Sequence, residues 1–219
     1  MSLVELAVSM FIVSIVLAGV SSVFVGVMRS SQRASVTTST SADARIATEQ
    51  ITRELRVAVR PKGENSAIVS ATPDSVTFYA LLNRTGSAVT GTIVPTRVRY
   101  SYNGTCVQRI TTPGNEIINP AATGPFYTWA TGTETRCLLR TTVPLALGYY
   151  DSGAVENSAT PATAFPVPVG GLSLLTRQNV KSIEITVTAG SAENPQTAPA
   201  VVLARVTMNN VVNDTGGIT

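Results

Sequence analysis

Apolar and polar positions along this chain change their spacing twice. From Leu6 to Met28 there are 23 consecutive uncharged residues. At ~1.5 Å rise per residue, a helix of that length crosses a ~30 Å hydrocarbon core. Arg29 and Arg33 then mark the water boundary, so the pattern predicts a transmembrane helix over residues 1–28. Residues 29–60 contain neither Pro nor Gly. Ser35–Ser41 is a poor helix former, because β-branched and hydroxyl side chains lose rotamer freedom or compete for backbone bonds. Beyond it, Ala44, Ala47, Ile51, Leu55 and Ala58 recur at spacings of three and four, an apolar stripe on one helical face. That stripe predicts the inner face of a helix lying on a β-sheet, with a partner helix as the second use. Pro61-Lys62-Gly63 closes the segment. The whole helix is expected to run about 60 residues, or roughly 90 Å, as an apolar part (1–28) and an amphipathic continuation (29–60).

After Pro61 the period becomes that of strands. Ala67–Ala71 and Val76–Leu82 flank the turn signal Thr72-Pro73-Asp74-Ser75. Arg97–Tyr102 and Thr105–Ile110 flank Asn103-Gly104, a strong hairpin cue. Arg136–Val143, Ser182–Thr188 and Val201–Val206 are further expected strands. Gly-, Pro- and Thr-rich stretches at 113–135 and 151–171 read as long surface loops. The expected fold class is therefore α+β: a long N-terminal α-helix whose C-terminal half packs on an antiparallel β-sheet, with residues 61–219 forming a β-rich head.

Composition narrows the chemistry. The chain is 44% hydrophobic and 13% charged, with a formal net charge of +3. Residues 1–60 carry six Arg against four acids, so bulk charge gives no nucleic-acid footprint. Histidine is absent, which excludes Ser-His-Asp and Cys-His catalysis and histidine-ligated metal sites. No glycine-rich phosphate loop, nucleophile motif or close carboxylate pair is found, so neither an enzyme nor a cofactor is expected. Arg97, Arg99 and Arg109 could share one face of a hairpin and meet phosphates, although a solvated outer face is the commoner use of such a trio. Three Asn-x-Thr triplets, at Asn83, Asn103 and Asn213, are discounted as glycosylation sites in a Thr-rich chain.

A secretory signal peptide fits the start poorly, since nothing basic precedes the apolar run and the run is too long. The opening Met1-Ser2-Leu3-Val4-Glu5-Leu6 instead places a carboxylate at the edge of hydrocarbon, where it needs a partner or a proton. Followed by its apolar helix, this opening resembles the mature N-terminus of the type IV pilin and pseudopilin family. The resemblance implies that a short basic leader is removed by a prepilin peptidase and that the amine of Met1 is N-methylated. It further implies that Glu5 pairs with the Met1 amine of a neighbouring subunit in a helical stack. Such a pair would fix axial register, because a slip of one turn strands both charges. A Glu5 that merely snorkels to the headgroups is the alternative.

Ser14, Ala18, Ser22 and Gly26 recur every fourth residue, a small-residue ridge of the kind that lets helix backbones approach closely in lipid. Ordinary membrane-helix composition would also produce it. Many pilins have a proline in this half of the helix; here none precedes Pro61, and Gly19 and Gly26 are the local weak points. The head resembles the longer minor-pilin and J-type pseudopilin branch. Glu54-Leu-Arg56, Tyr149-Tyr150-Asp151-Ser152-Gly153, and the strand pair Ile183–Val187 with Leu203–Asn210 stand at that branch's corresponding places.

Cys106 and Cys137 lie on separate expected strands, 31 positions apart. A disulfide is the default outside the cytoplasm and two free thiols the alternative. The bridge would tie the Asn103-Gly104 hairpin to the 136–143 strand. The family's frequent C-terminal disulfide does not carry over, since 82 residues follow Cys137.

The resemblance implies a structural subunit of a type IV pilus, held single-pass in the cytoplasmic membrane and polymerised into an extracellular filament. Its partners would be membrane lipid, the assembly machinery, and copies of itself or other pilins. Major or minor status stays open. A type II secretion pseudopilin and a non-polymerising, signal-anchored surface domain are the other readings.

Overall fold

The computed structural model describes residues 3–82, 94–117, 126–129, 132–151, 163–190 and 199–208. Its first element is a single helix, α1 (Leu3–Arg56), 54 residues long. The helix is continuous through Gly19 and Gly26. It is also continuous through the Ser/Thr run, for a local reason. The hydroxyls of Thr37, Thr38, Ser39, Thr40 and Ser41 donate to carbonyls three or four residues back, at 2.7–3.0 Å. The competing donors are thereby absorbed into the helix. The helix ends earlier than the expected residue 60. Val57 and Ala58 turn tightly on the carbonyls of Glu54 and Leu55, and Ala58 then forms an isolated antiparallel bridge with Ala80. Ala58 is thus buried as expected, but from an extended link to the sheet rather than from the helical stripe.

Among the described residues nine strands follow, all antiparallel, in two sheets. The first holds β1 (Ile68–Ala71), β2 (Val76–Ala80), β3 (Thr96–Tyr102), β4 (Cys106–Glu116), β5 (Tyr127–Trp129) and β6 (Glu134–Arg140). β4 is long enough to serve two partners along its far edge: Cys106–Thr111 pairs with β6 and Gly114–Glu116 with β5. The second sheet has the order β7 (Ala146–Tyr150), β8 (Ser182–Ala189), β9 (Ala200–Thr207). A five-residue helix, α2 (Leu174–Gln178), capped by Ser173, precedes β8.

Both expected turns form. The Thr72 N–H donates to the Ser75 carbonyl at 2.8 Å across the β1–β2 hairpin. In the β3–β4 hairpin, Gly104 takes φ +97°, a conformation that favours glycine. The Asn103 side-chain oxygen accepts the N–H groups of Thr105 and Cys106.

The expected loop at 113–135 is corrected in part. Thr-Thr-Pro-Gly reads as a turn, yet β4 continues through it, because Pro113 needs no donor there and Gly114 leaves room for the Pro95 carbonyl. A Cβ on Gly114 would lie 2.6 Å from that oxygen. The expected loop at 151–171 also holds structure in its later part: the Phe165 N–H donates to the Tyr149 carbonyl and Ala164 bridges Tyr150. Residues 118–125, 130–131 and 152–162 of these stretches lie outside the described residues.

The core fills the space between α1 and the two sheets. Ala44, Ala47, Ile51 and Leu55 meet Val76, Phe78, Val98, Tyr100, Val107 and Leu139 of the first sheet and Ile183, Ile185, Val187 and Val206 of the second. The stripe's use against sheet is therefore the one found. Burial of each such side chain stabilises by about 1.5–3 kcal/mol before entropy is counted. The two sheets are joined by Tyr149, whose hydroxyl donates to the Thr72 carbonyl at 2.9 Å, and by the Leu147 N–H on Pro73.

Candidate functional site

Two regions of α1 divide its work. The N-terminal part is apolar and fully outside the head. Leu3 is 86% exposed and Phe11 68%, and every described residue through Met28 is exposed. This helix is long and apolar enough to cross a membrane, and none of that apolar stretch is buried. In water, so much contiguous apolar surface would be strongly unfavourable. Some apolar medium or partner must cover it.

Ser14, Ala18, Ser22 and Gly26 all lie on this exposed rod. Ser14 returns its hydroxyl to Met10 and Ser22 to Gly19, both at 2.8 Å. Nothing lies within 4 Å of where a Cβ on Gly26 would be. The ridge's two hydroxyl donors are therefore turned inward onto the helix, and the ridge is open to close approach. Glu5 belongs to the first turns of the helix; Met1 and the Glu5 side chain lie outside the described residues.

The C-terminal end of α1 is anchored by a buried charge cluster. The Glu54 carboxylate faces β3 and β4. It accepts from the Tyr100 hydroxyl at 2.6 Å and from Arg109 Nε at 2.9 Å, and Arg109 Nη2 meets its second oxygen at 2.8 Å. The side chains are 3% (Arg109) and 11% (Glu54) exposed. Burial works against the charge on Arg109, but hydrogen bonds and attraction from Glu54 outweigh it and hold the guanidinium pKa above its usual value. Burial, and then the adjacent Glu54 charge, push the Tyr100 phenol well above its ordinary range.

Sequence reasoning missed this cluster and misplaced Arg109. Register pairs Arg109 with Tyr100, on the core face, whereas Arg97 and Arg99 point to the opposite face opposite Tyr79 and Thr77. The three arginines do not share a face. Arg97 instead lies over the Trp129 ring, 4.5 Å from its centroid, and Trp129 stacks on Tyr79 at 4.8 Å. The missing signal was in the pattern. Glu54 stands three residues after Ile51 and adjoins Leu55 on the buried side, and Arg109 alternates with Val107 and Thr111, which are both buried.

Cys106 and Cys137 are bonded, with Cα atoms 5.9 Å apart, between β4 and β6 as expected. Among the described residues no three His, Cys, Asp or Glu side chains gather in a metal-binding arrangement. A groove of about 550 Å³ beside the helix end is lined by Ile46, Arg53, Glu54, Leu82 and Arg109, among others, with mixed charge and no convergent polar set.

Tyr149 and Tyr150 end strand β7, and Asp151 accepts the Thr163 N–H; Ser152 and Gly153 lie outside the described residues. So do Asn83 and Asn213, whereas Asn103 is occupied in its turn. Compared with known proteins, the chain matches no protein-family model and no curated protein sequence.

Proposed function

We propose that the protein is a filament subunit of the type IV pilin kind, stored in a membrane by the apolar half of α1 and assembled through packing of that half against copies of itself. The observation that carries this reading is the division of one unbroken helix. Residues 6–28 offer only apolar and small side chains to the outside, and its last turns are locked into a β-rich head by core packing and the Glu54–Arg109 pair. Moving the rod from lipid into a bundle of like rods keeps it dry in both states, so assembly and disassembly can lie close in free energy. In this scheme a processed Met1 amine neutralises Glu5 of a neighbour, and the ridge from Ser14 to Gly26 sets how closely rods approach. The head's pilin-like character rests on the same arrangement of a long helix laid against antiparallel strands.

The test is a pair of measurements. Sheared cell surfaces should yield thin filaments in which mass spectrometry finds this chain with an N-terminus at a methylated Met1. The Glu5→Leu variant should remain in the membrane while filament yield falls by at least tenfold. Recovery of the wild type only as membrane-bound single molecules retaining a leader would support an anchored surface domain in its place.

A further inference from the structure

We propose that Cys137 is the sulfur through which the head's disulfide is made and opened, and that external thiols and disulfides react there and not at Cys106. The two halves of the bond differ sharply in surroundings. Cys106 is buried, 5% exposed, at the start of β4 beneath the Asn103-Gly104 turn. Cys137 is exposed on β6 and lines an open groove of about 750 Å³, together with Thr40, Asp43, Thr105 and Thr141. An attacking sulfur must approach its target nearly along the S–S axis, and access helps decide which sulfur it reaches. Cys137 lines this groove and Cys106 does not.

Backbone pairing ties the two strands in addition to the bond. Below the disulfide, Arg109, Ile110 and Thr111 of β4 pair with Arg136, Thr135 and Glu134 of β6, and the register shifts between Val107 and Gln108, where Cys137 comes opposite Gln108. The two thiols therefore stay neighbours in the reduced protein, which lets the reaction proceed on a folded head.

In the oxidising direction the Cys137 thiolate attacks one sulfur of an external disulfide, forming a mixed disulfide and releasing one external thiolate. The Cys106 thiol then gives its proton to solvent and attacks the Cys137 sulfur, closing the internal bond and expelling the second external thiolate. Two protein thiols are oxidised and one external disulfide is reduced to two thiols. In reverse, an external thiolate adds to the Cys137 sulfur and Cys106 leaves. Its thiolate would form in a buried place, which disfavours the charged form and slows that step. The ligand class is a thiol–disulfide carrier that docks by one sulfur. This inference is independent of filament assembly.

The full-length protein in mild detergent tests it. After reduction and removal of reductant, pulse alkylation followed by mass spectrometry should label Cys137 at least tenfold faster than Cys106, the difference vanishing in urea. Oxidised glutathione should form a mixed disulfide with Cys106→Ser, at Cys137, and at least tenfold more slowly with Cys137→Ser. Equal rates at the two sulfurs of the reduced wild type, or faster labelling of Cys106, would overturn the proposal even if neither variant folds.

Discussion

Glu54 and Arg109, 55 residues apart in sequence, meet in a two-point ion pair that joins the end of the long helix to the middle of the longest strand. Tyr100, from the neighbouring strand, closes the cluster on the carboxylate. Every charge in it has a partner, so its value lies less in net stability than in fixing one angle and one register of helix on sheet.

Removing one member should therefore cost much more than removing both. Glu54→Leu, which strands a buried guanidinium, is expected to destabilise the head by roughly 3–5 kcal/mol. The double variant Glu54→Leu/Arg109→Met should recover a large part of that loss. Denaturant unfolding of the full-length chain in detergent, followed by tryptophan fluorescence, measures both. Additive losses in the double variant would show that the pair does not act as a unit.

Alkaline pH should loosen the head through its tyrosines. Burial and the Glu64 charge push Tyr79 up to about 12, and burial raises Tyr100 and Tyr149 further. For a group whose folded pKa is raised, the associated stability is fully present below the unfolded value, here about 10. It is lost as pH climbs through the folded value. Spectrophotometric titration should show these three phenols resisting ionisation past pH 11 and then ionising together as the fold opens, whereas a head that stays folded while all its phenols titrate near 10 would contradict this. Tyr100→Phe should lower stability by roughly 1–3 kcal/mol, since Glu54 loses a hydrogen bond in a buried place.

Cys106→Ser should lower the thermal midpoint under oxidising conditions. The bond closes a loop with a sequence separation of 31, for which chain entropy suggests about 3–4 kcal/mol. Differential scanning calorimetry with and without reductant checks it: wild type plus reductant should move toward the variant, and identical midpoints would remove the disulfide from the stability account.

Enlarging the ridge with Ala18→Phe should leave the amount of protein in the membrane near wild type and reduce assembled filaments. Membrane fractionation compared with shear yield separates the two effects. Equal loss in both would argue that the ridge matters for the helix itself and not for contact between helices.

Much of this architecture was legible because local periodicity and burial agree. The stripe Ala44, Ala47, Ile51 and Leu55 and the turns at Thr72–Ser75 and Asn103–Gly104 each have a chemical signature confined to a few residues. β7 was equally legible in principle, since Leu145, Leu147 and Tyr149 alternate on the buried face, but Pro144 and Gly148 masked the rhythm. β5, three residues long, carries too little pattern to declare itself and depends on β4 continuing past Pro113. The Glu54–Arg109 pair was hidden for a different reason. Charged residues ordinarily read as surface, and only the long-range register that sets Arg109 beside Tyr100 shows otherwise. The candidate assembly residues Met1 and Glu5 rest on a short terminal motif, and their partners would lie in another molecule.

The grip on the helix has a mechanical consequence. Because α1 enters the head lengthwise and is held from Ala44 to Leu55 by several side chains at once, with an ion pair at the far end, tension drawn along the rod is shared by those contacts side by side. Such loading acts in shear, so the bonds must yield nearly together. In the filament proposed above, a tug sufficient to slide one rod past its neighbours would thus pass through the head's root and leave the fold intact.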